Sequence, residues 1–254
     1  MEPNMEPIQQ PRSSFAIPVA IVFGFAMIAI AIFFTTGQSS ETTPEQITAE
    51  TEQSERSGTP KQVTGDDYIR GNPNAPILLI EYADYDCPFC KRYHETLSQI
   101  MDEYGVTGRV AWVYRQLPLA QLHPNAPKIS QAALCVGKLG GNDAFWKFTD
   151  QVYEERSEAE YTNVTKIPDY VEQSGVDIGA YTLCMDNGET EEELMSSLED
   201  AYNIGAQSTP YTVLVVGNQQ AVIDGARSYE TVKSVIENLL AQLDGTSDVE
   251  PIAE

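Results

Sequence analysis

Hydrophobic positions in this chain are bunched rather than evenly spread. From Phe15 to Phe34, twenty residues (FAIPVAIVFGFAMIAIAIFF) carry no charge, and at about 1.5 Å each they match a hydrocarbon core of about 30 Å. The pattern predicts a transmembrane anchor over 15–36. Pro18 and Gly24 are compatible with it, because a freed carbonyl can be re-satisfied locally. A cleaved signal peptide is the rival, but the run is long for one and TTGQSS after it lacks an A-x-A-like site. Residues 1–14 carry Arg12, whereas the far flank is acidic, so a cytoplasmic N-terminus and an outside domain are expected.

Residues 37–65 are rich in Ser, Thr, Glu and Gln and nearly free of large apolar residues. Such a stretch buries too little surface to offset its ordering entropy and predicts a flexible linker. The pattern then changes. After the turn GNPNAP, the apolar run Ile77 to Tyr82 has the length and composition of a buried strand. Tyr93, Leu97, Ile100, Met101 and Tyr104 follow at helical spacing from Pro88, with Gly105 as the stop. Arg109 to Gln116 alternates as a second, parallel strand, completing a right-handed βαβ unit.

A long helical block comes next: Ala126 to Leu139, Ala144 to Glu155, a polar break at Tyr161 to Lys166, then Pro168 to Ser174 and Ile178 to Tyr202. Lying between strands, it looks inserted, over about 124–205. YTVLVV and AVIDGA form a hairpin around Gly217 to Gln220, and Tyr229 to Leu240 closes the domain with an apolar stripe at Val232, Val235, Ile236, Leu239 and Leu240. One α/β domain is therefore expected over 66–241, followed by a disordered acidic tail over 242–254.

The formal net charge is -23, from 15 basic and 38 acidic residues in 254. That balance repels phosphate backbones and excludes nucleic acid as a natural partner. Four cysteines are too few for a disulfide scaffold. Cys87 and Cys90 form a close pair; Cys135 and Cys184 are distant singles which, in an oxidising compartment, can form a structural bridge.

Cysteines at i and i+3 on a helix share one face, so they can cycle between dithiol and disulfide without large backbone movement. At the point where strand gives way to helix, the sulfur of Cys87 meets unpaired N–H groups and the positive end of the helix dipole, both of which favour thiolate. Cys87 is thus the expected exposed nucleophile and Cys90 the inner, resolving thiol. Pro88 suits the first helical position. The same spacing occurs in zinc knuckles, and His94, Cys135 and Cys184 could complete a ligand set; however, structural zinc sites usually bring two close pairs, so no metal is expected. Lys91 stands where a CxxCH haem site needs histidine. His94 reads as an ordinary helix residue beside the site.

The stretch GNPNAPILLIEYADYDCPFCKRYHETL resembles the opening of DsbA-like thiol:disulfide oxidoreductases. HPNAPKISQAALCVGKLGGNDAFWKF, STPYTVLV and AVIDGARSYETVKSVIENLL resemble their inserted helices, cis-proline loop and terminal hairpin and helix. The resemblance runs from about Asp66 to Leu240 and implies a thioredoxin-like fold interrupted by an α-helical insertion. It makes Thr209-Pro210 a cis peptide facing the Cys87–Cys90 disulfide, Glu81 an interior carboxylate passing protons to or from Cys90, and Cys135–Cys184 a structural disulfide. Phe89 stands where well-studied oxidases of the family carry histidine, and Asp84 and Asp86 lie close enough to oppose a thiolate.

The implied activity is that of a membrane-anchored dithiol oxidase acting on reduced or misoxidised extracytoplasmic client proteins and reoxidised by a membrane partner. It needs no cofactor. A reductase or isomerase on the same scaffold is the enzymatic alternative; because the linker is too short and polar for a dimerisation domain, a monomer is expected. The non-enzymatic alternative is a zinc-binding or client-binding module.

Overall fold

The computed structural model describes residues 58–157 and 160–245. The anchor predicted over 15–36, most of the linker and most of the tail lie outside them. Among the described residues no helix is long and apolar enough to cross a membrane.

Five strands make one sheet: β1 (Tyr68–Gly71), β2 (Ile77–Ala83), β3 (Val110–Gln116), β4 (Tyr211–Val216) and β5 (Gln219–Asp224), in the order β1-β3-β2-β4-β5. β2 and β3 are parallel, joined through α1 (Pro88–Ile100) and a π-helical turn at Met101–Gly105; every other neighbouring pair is antiparallel. The two central strands are almost wholly buried, as their unbroken apolar runs require.

Alternation along β2 and β3 splits the core in two. Ile77, Leu79, Trp112 and Tyr114 face α1, the insertion and the closing helix α6 (Tyr229–Leu243), whereas Ile80, Tyr82 and Val113 pack against Ala201 and Ile204. Glu81, two positions along from Leu79, belongs by this alternation to the α1 side.

The insertion comprises α2 (Ala126–Glu155), α3 (Ile167–Gln173), α4 (Ile178–Asp186) and α5 (Glu191–Asn203). α2 is broken at Gly141, whose φ of 76° interrupts the helix where two separate helical patterns were expected. Ile178 to Tyr202, expected as one helix, is instead α4 and α5. The chain turns at Gly188, with φ of 63°, and α4 ends with Asn187 N–H donating to Leu183 O and Gly188 N–H to Met185 O.

Two features were not anticipated. β1 is a four-residue edge strand added to β3, with Tyr68 opposite Tyr114. The end of the predicted flexible linker is fixed to α5: Gly58 N–H donates to Asn203 O at 3.2 Å and Lys61 N–H to Asp200 Oδ1 at 2.8 Å. These bonds supply partners that composition alone could not foresee.

Candidate redox site

β2 ends at Ala83, and the turn Asp84–Cys87 is closed by the Cys87 N–H donating to Asp84 O at 3.1 Å. Cys87 is the N-cap of α1 with extended backbone (φ −73°, ψ 123°) and Pro88 in the first turn; no side-chain hydrogen bond caps this end. The first-turn N–H groups are thus left to the sulfur. Both Cys87 and Cys90 are free thiols.

Their environments pull them apart. The Cys87 thiol is lowered to about 6, chiefly because Cys90 hydrogen-bonds to it; burial opposes this, while Thr209 and the backbone N–H groups of Cys90 and Phe89 add to the lowering. The Cys90 thiol is pushed well above its ordinary value by burial, and by its hydrogen bond to Cys87 and the negative charge of that residue. Its sulfur accepts from Asp84 N–H at 3.4 Å. Two thiols on one turn therefore hold their protons very differently, the condition for one to attack and the other to wait.

Cys87 is only 4% exposed, which departs from the expected open nucleophile. The segment before β4 covers it: Cys87 Sγ donates to Thr209 O at 3.3 Å, and Thr209-Pro210 is cis. Phe89, in contrast, is half exposed, with the Arg92 guanidinium 4.8 Å from its ring centre. It offers an apolar face beside the sulfur.

Glu81 is 1% exposed and accepts from Trp112 Nε1 at 2.9 Å. Burial raises it to about 8; the Trp112 bond works against that shift and the charge of Cys87 adds to it. A carboxyl that exchanges its proton near neutrality lies within electrostatic reach of both thiols.

Asp84 and Asp86 are completely buried and turned towards the surrounding loops. Asp84 accepts from Leu119 N–H at 2.7 Å and contacts His123 Nδ1 at 2.8 Å, and its other oxygen accepts from Asp86 N–H. Asp86 accepts from Thr162 N–H at 2.7 Å. The acids brace the redox turn against loops on either side. His94 is buried as well, between the rings of Trp112 and Tyr153, with Nε2 2.9 Å from Asp150 Oδ1; burial lowers its pKa. Asp150 in turn holds Arg70 through two short bonds.

Cys135 on α2 and Cys184 on α4 are joined by a disulfide with Cα atoms 6.0 Å apart. That bond removes both as thiolate ligands for the zinc alternative, and no group of three or more metal-ligating side chains occurs among the described residues.

The sequence reading missed Trp112, Tyr153 and Arg156. The first was within reach: Trp112 opposes Leu79 across the parallel ladder and Glu81 lies one pleat further on the same face. Arg156 gave no signal: it lies just past the predicted helix end at Glu155, in a run of charged and polar residues.

Comparison with known proteins agrees with this architecture. Among solved structures, Wolbachia pipientis alpha-DsbA1 superposes with a TM-score of 0.62 at 20% identity, covering 73% of this chain and 96% of that one. Oxidised BdbD from Bacillus subtilis gives a TM-score of 0.61 at 21% identity, over 72% and 97%. At these identities the likeness is one of fold. A curated relative, Na(+)/H(+) antiporter NhaA 1 of Mycolicibacterium gilvum, is 27% identical over 158 residues, 60% of this chain and 24% of that protein. The chain thus spans about a quarter of that relative's length. The family described as Thioredoxin matches residues 63–238, most of the chain, so with its five-stranded sheet and flanking helices the protein belongs to the thioredoxin family.

Proposed function

We propose that this protein is a thiol:disulfide oxidoreductase whose working pair is Cys87 and Cys90. The observation that carries the reading is the placement of two free thiols on the first turn of α1, Cys87 at its N-cap against Thr209 O and Cys90 fully buried under Asp84 N–H, on the face of the sheet that holds the buried Glu81 carboxyl; burial and hydrogen bonding accordingly lower the first thiol and raise the second. A nucleophile, a resolving thiol and a proton acceptor are the parts that exchange requires.

In the oxidising direction a client thiolate attacks Cys87 Sγ of the Cys87–Cys90 disulfide. A client–Cys87 bond forms and Cys90 leaves as a thiolate, which Glu81 can protonate. The client's second thiolate then attacks the client sulfur of the mixed disulfide, releasing Cys87 as thiolate. The client ends two electrons oxidised and the enzyme two electrons reduced. Renewed oxidation of the enzyme is assigned to a membrane partner. Backbone groups of Thr209 and the exposed ring of Phe89 would meet an extended client segment.

A setting outside the cytoplasm, with residues 15–34 as a single-pass anchor, is assigned from the uncharged run and the acidic flank that follows it. Cys135–Cys184 is assigned a structural role because helix packing surrounds it. The client-binding alternative lacks any use for the split between the two thiols.

The test is stoichiometric. Oxidised protein is mixed with a reduced peptide containing two cysteines, and peptide disulfide and protein thiols are both counted. One peptide disulfide should appear for each Cys87–Cys90 pair reduced, and a reduced Cys90→Ser protein given the peptide in its disulfide form should accumulate peptide bound at residue 87, since the Cys87 thiolate opens that disulfide and no Cys90 is there to release it. Peptide oxidation without new protein thiols would defeat the assignment.

A further inference from the structure

Arg156 ends α2, where the chain leaves the helix in extended conformation, yet its side chain turns inward and only 5% of the residue is exposed. Nη1 donates to Tyr85 O at 3.0 Å and to Cys87 O at 3.0 Å, while Nε donates to Glu160 O at 2.9 Å. One buried cation therefore grips two carbonyls of the redox turn and one of the loop beyond α2. A guanidinium suits this task, being permanently charged and offering donors in a rigid fork.

The grip matters for two reasons. The Cys87 carbonyl belongs to the first peptide plane of α1 and also accepts from Lys91 N–H at 3.3 Å. Fixing that plane fixes the start of the helix, whose Phe89 and Cys90 N–H groups favour thiolate at Cys87. Charge is the second reason. Asp84 and Asp86 lie buried in the turn that leads into Cys87, and Asp86 Oδ2 is without a hydrogen-bond partner. His123 is engaged by Asp84, and Lys91 Nζ by Tyr153 O and Glu95. Arg156 is the cation whose guanidinium touches the carbonyl of Cys87 itself.

We propose that Arg156 is a positioning residue for the nucleophile, gripping the Tyr85 and Cys87 carbonyls from the helical insertion so that the sulfur stays over the start of α1 and its thiolate is favoured. The inference rests on Cys87 being the attacking thiol. It also gives the insertion a direct hold on the redox turn, which the thioredoxin sheet and α1 alone do not supply.

Full-length protein, reduced, is titrated for thiolate absorbance in the wild type, Arg156→Gln and Arg156→Lys, and each is equilibrated with glutathione. Arg156→Gln should raise the Cys87 midpoint by about 1 unit, the low end of what removing a nearby opposite charge does. Alkylation at a pH near the wild-type midpoint should slow by roughly fivefold, following the lost thiolate fraction. Arg156→Lys keeps a charge without the fork and should recover about half of the shift. A folded Arg156→Gln protein with the wild-type midpoint and glutathione equilibrium would overturn the proposal, even if its melting temperature fell. If Arg156→Gln does not fold, Arg156→Lys decides: a raised midpoint supports the proposal and an unmoved one overturns it. A wild type with no thiolate near neutrality and no exchange with glutathione would remove the underlying assignment of Cys87 instead, a result visible before any Arg156 variant is measured.

Discussion

Cys87 and Cys90 lie within one turn where a strand becomes a helix, whereas Cys135 and Cys184 come from α2 and α4, 49 positions apart in sequence. All four are buried, from 0 to 4% exposed, so burial does not distinguish them. Their surroundings do. The first pair meets the backbone N–H groups of Phe89 and Cys90 at the start of α1 and a carboxyl that holds its proton to about 8. The second pair sits in the helical core beside residues such as Ala132, Val136 and Tyr181, with a long 3.8 Å contact from Cys135 Sγ to the Thr190 hydroxyl. Groups that stabilise a thiolate make a disulfide easy to open; an apolar setting leaves it inert.

The contrast is broken most sharply by deleting one sulfur from each pair. Cys87→Ser should abolish disulfide transfer to a reduced peptide, because serine cannot form the disulfide that the peptide thiolate attacks. Cys135→Ala/Cys184→Ala should transfer at the wild-type rate. Peptide oxidation kinetics measure both, and a Cys87→Ser protein with wild-type turnover would sink the distinction.

Stability should show the reverse ranking. A bridge closing a loop of this length constrains the unfolded chain by about 4 kcal/mol in the chain-entropy account, so denaturant unfolding of Cys135→Ala/Cys184→Ala should lose roughly 2–4 kcal/mol. Under graded reduction followed by alkylation and mass spectrometry, Cys87 and Cys90 should be modified first. Cys135 and Cys184 labelled without reductant would refute the bridge.

How far this contrast could be read from the sequence depends on the range of the forces involved. β2, α1 and β3 were legible because their apolar periods are local properties, and Cys87 at the strand–helix junction follows from them. β1 was not, since YIRG becomes a strand through its partner β3. Exposure of Cys87 was misjudged because the covering segment at Thr209 lies 122 positions away. Burial of Glu81 was legible from its place in an apolar strand, while its bond to Trp112 depended on register. Asp84 and Asp86 were expected to oppose a thiolate; the structure shows them bonded to Leu119, His123 and Thr162, which come from loops with no pattern of their own.

Glu81 sharpens the comparison, having no counterpart beside Cys135–Cys184. As proton carrier for Cys90 it should be worth about 10²-fold in the exchange step that expels or recruits that thiolate, the lower range for positioned acids and bases. Glu81→Gln should show this loss in stopped-flow exchange, with the Cys135–Cys184 bridge unaffected. Stability should move the other way. Folded Glu81 keeps its proton up to about 8, whereas an unfolded glutamate releases it near ~4.3. Between those values the folded state binds the additional proton, so stability falls as pH rises through the window. Glu81→Gln should flatten that fall in unfolding curves taken at several pH values; an unchanged slope would mean that Glu81 titrates normally.

The smallest expected effect is a bend in the pH dependence of the reduction potential. Reducing the Cys87–Cys90 disulfide takes up two protons where both thiols are protonated and one where Cys87 is a thiolate, and Cys87 changes over at about 6 while Cys90 stays protonated well above its ordinary value. For a two-electron couple each proton contributes about 30 mV per pH unit, so the potential should fall by about 60 mV per unit below the changeover and about 30 mV per unit above it. The sign for folding is fixed by the same shift. A depressed thiol pKa stabilises the reduced folded protein above the unfolded value of about 8.5, and that stabilisation is lost as pH falls through the folded value. Equilibration with glutathione from pH 5 to 8 reads the couple directly. A single slope of about 60 mV per unit throughout would mean that Cys87 is protonated at neutral pH, and the chemical difference between the two pairs would then have to be sought in access rather than in charge.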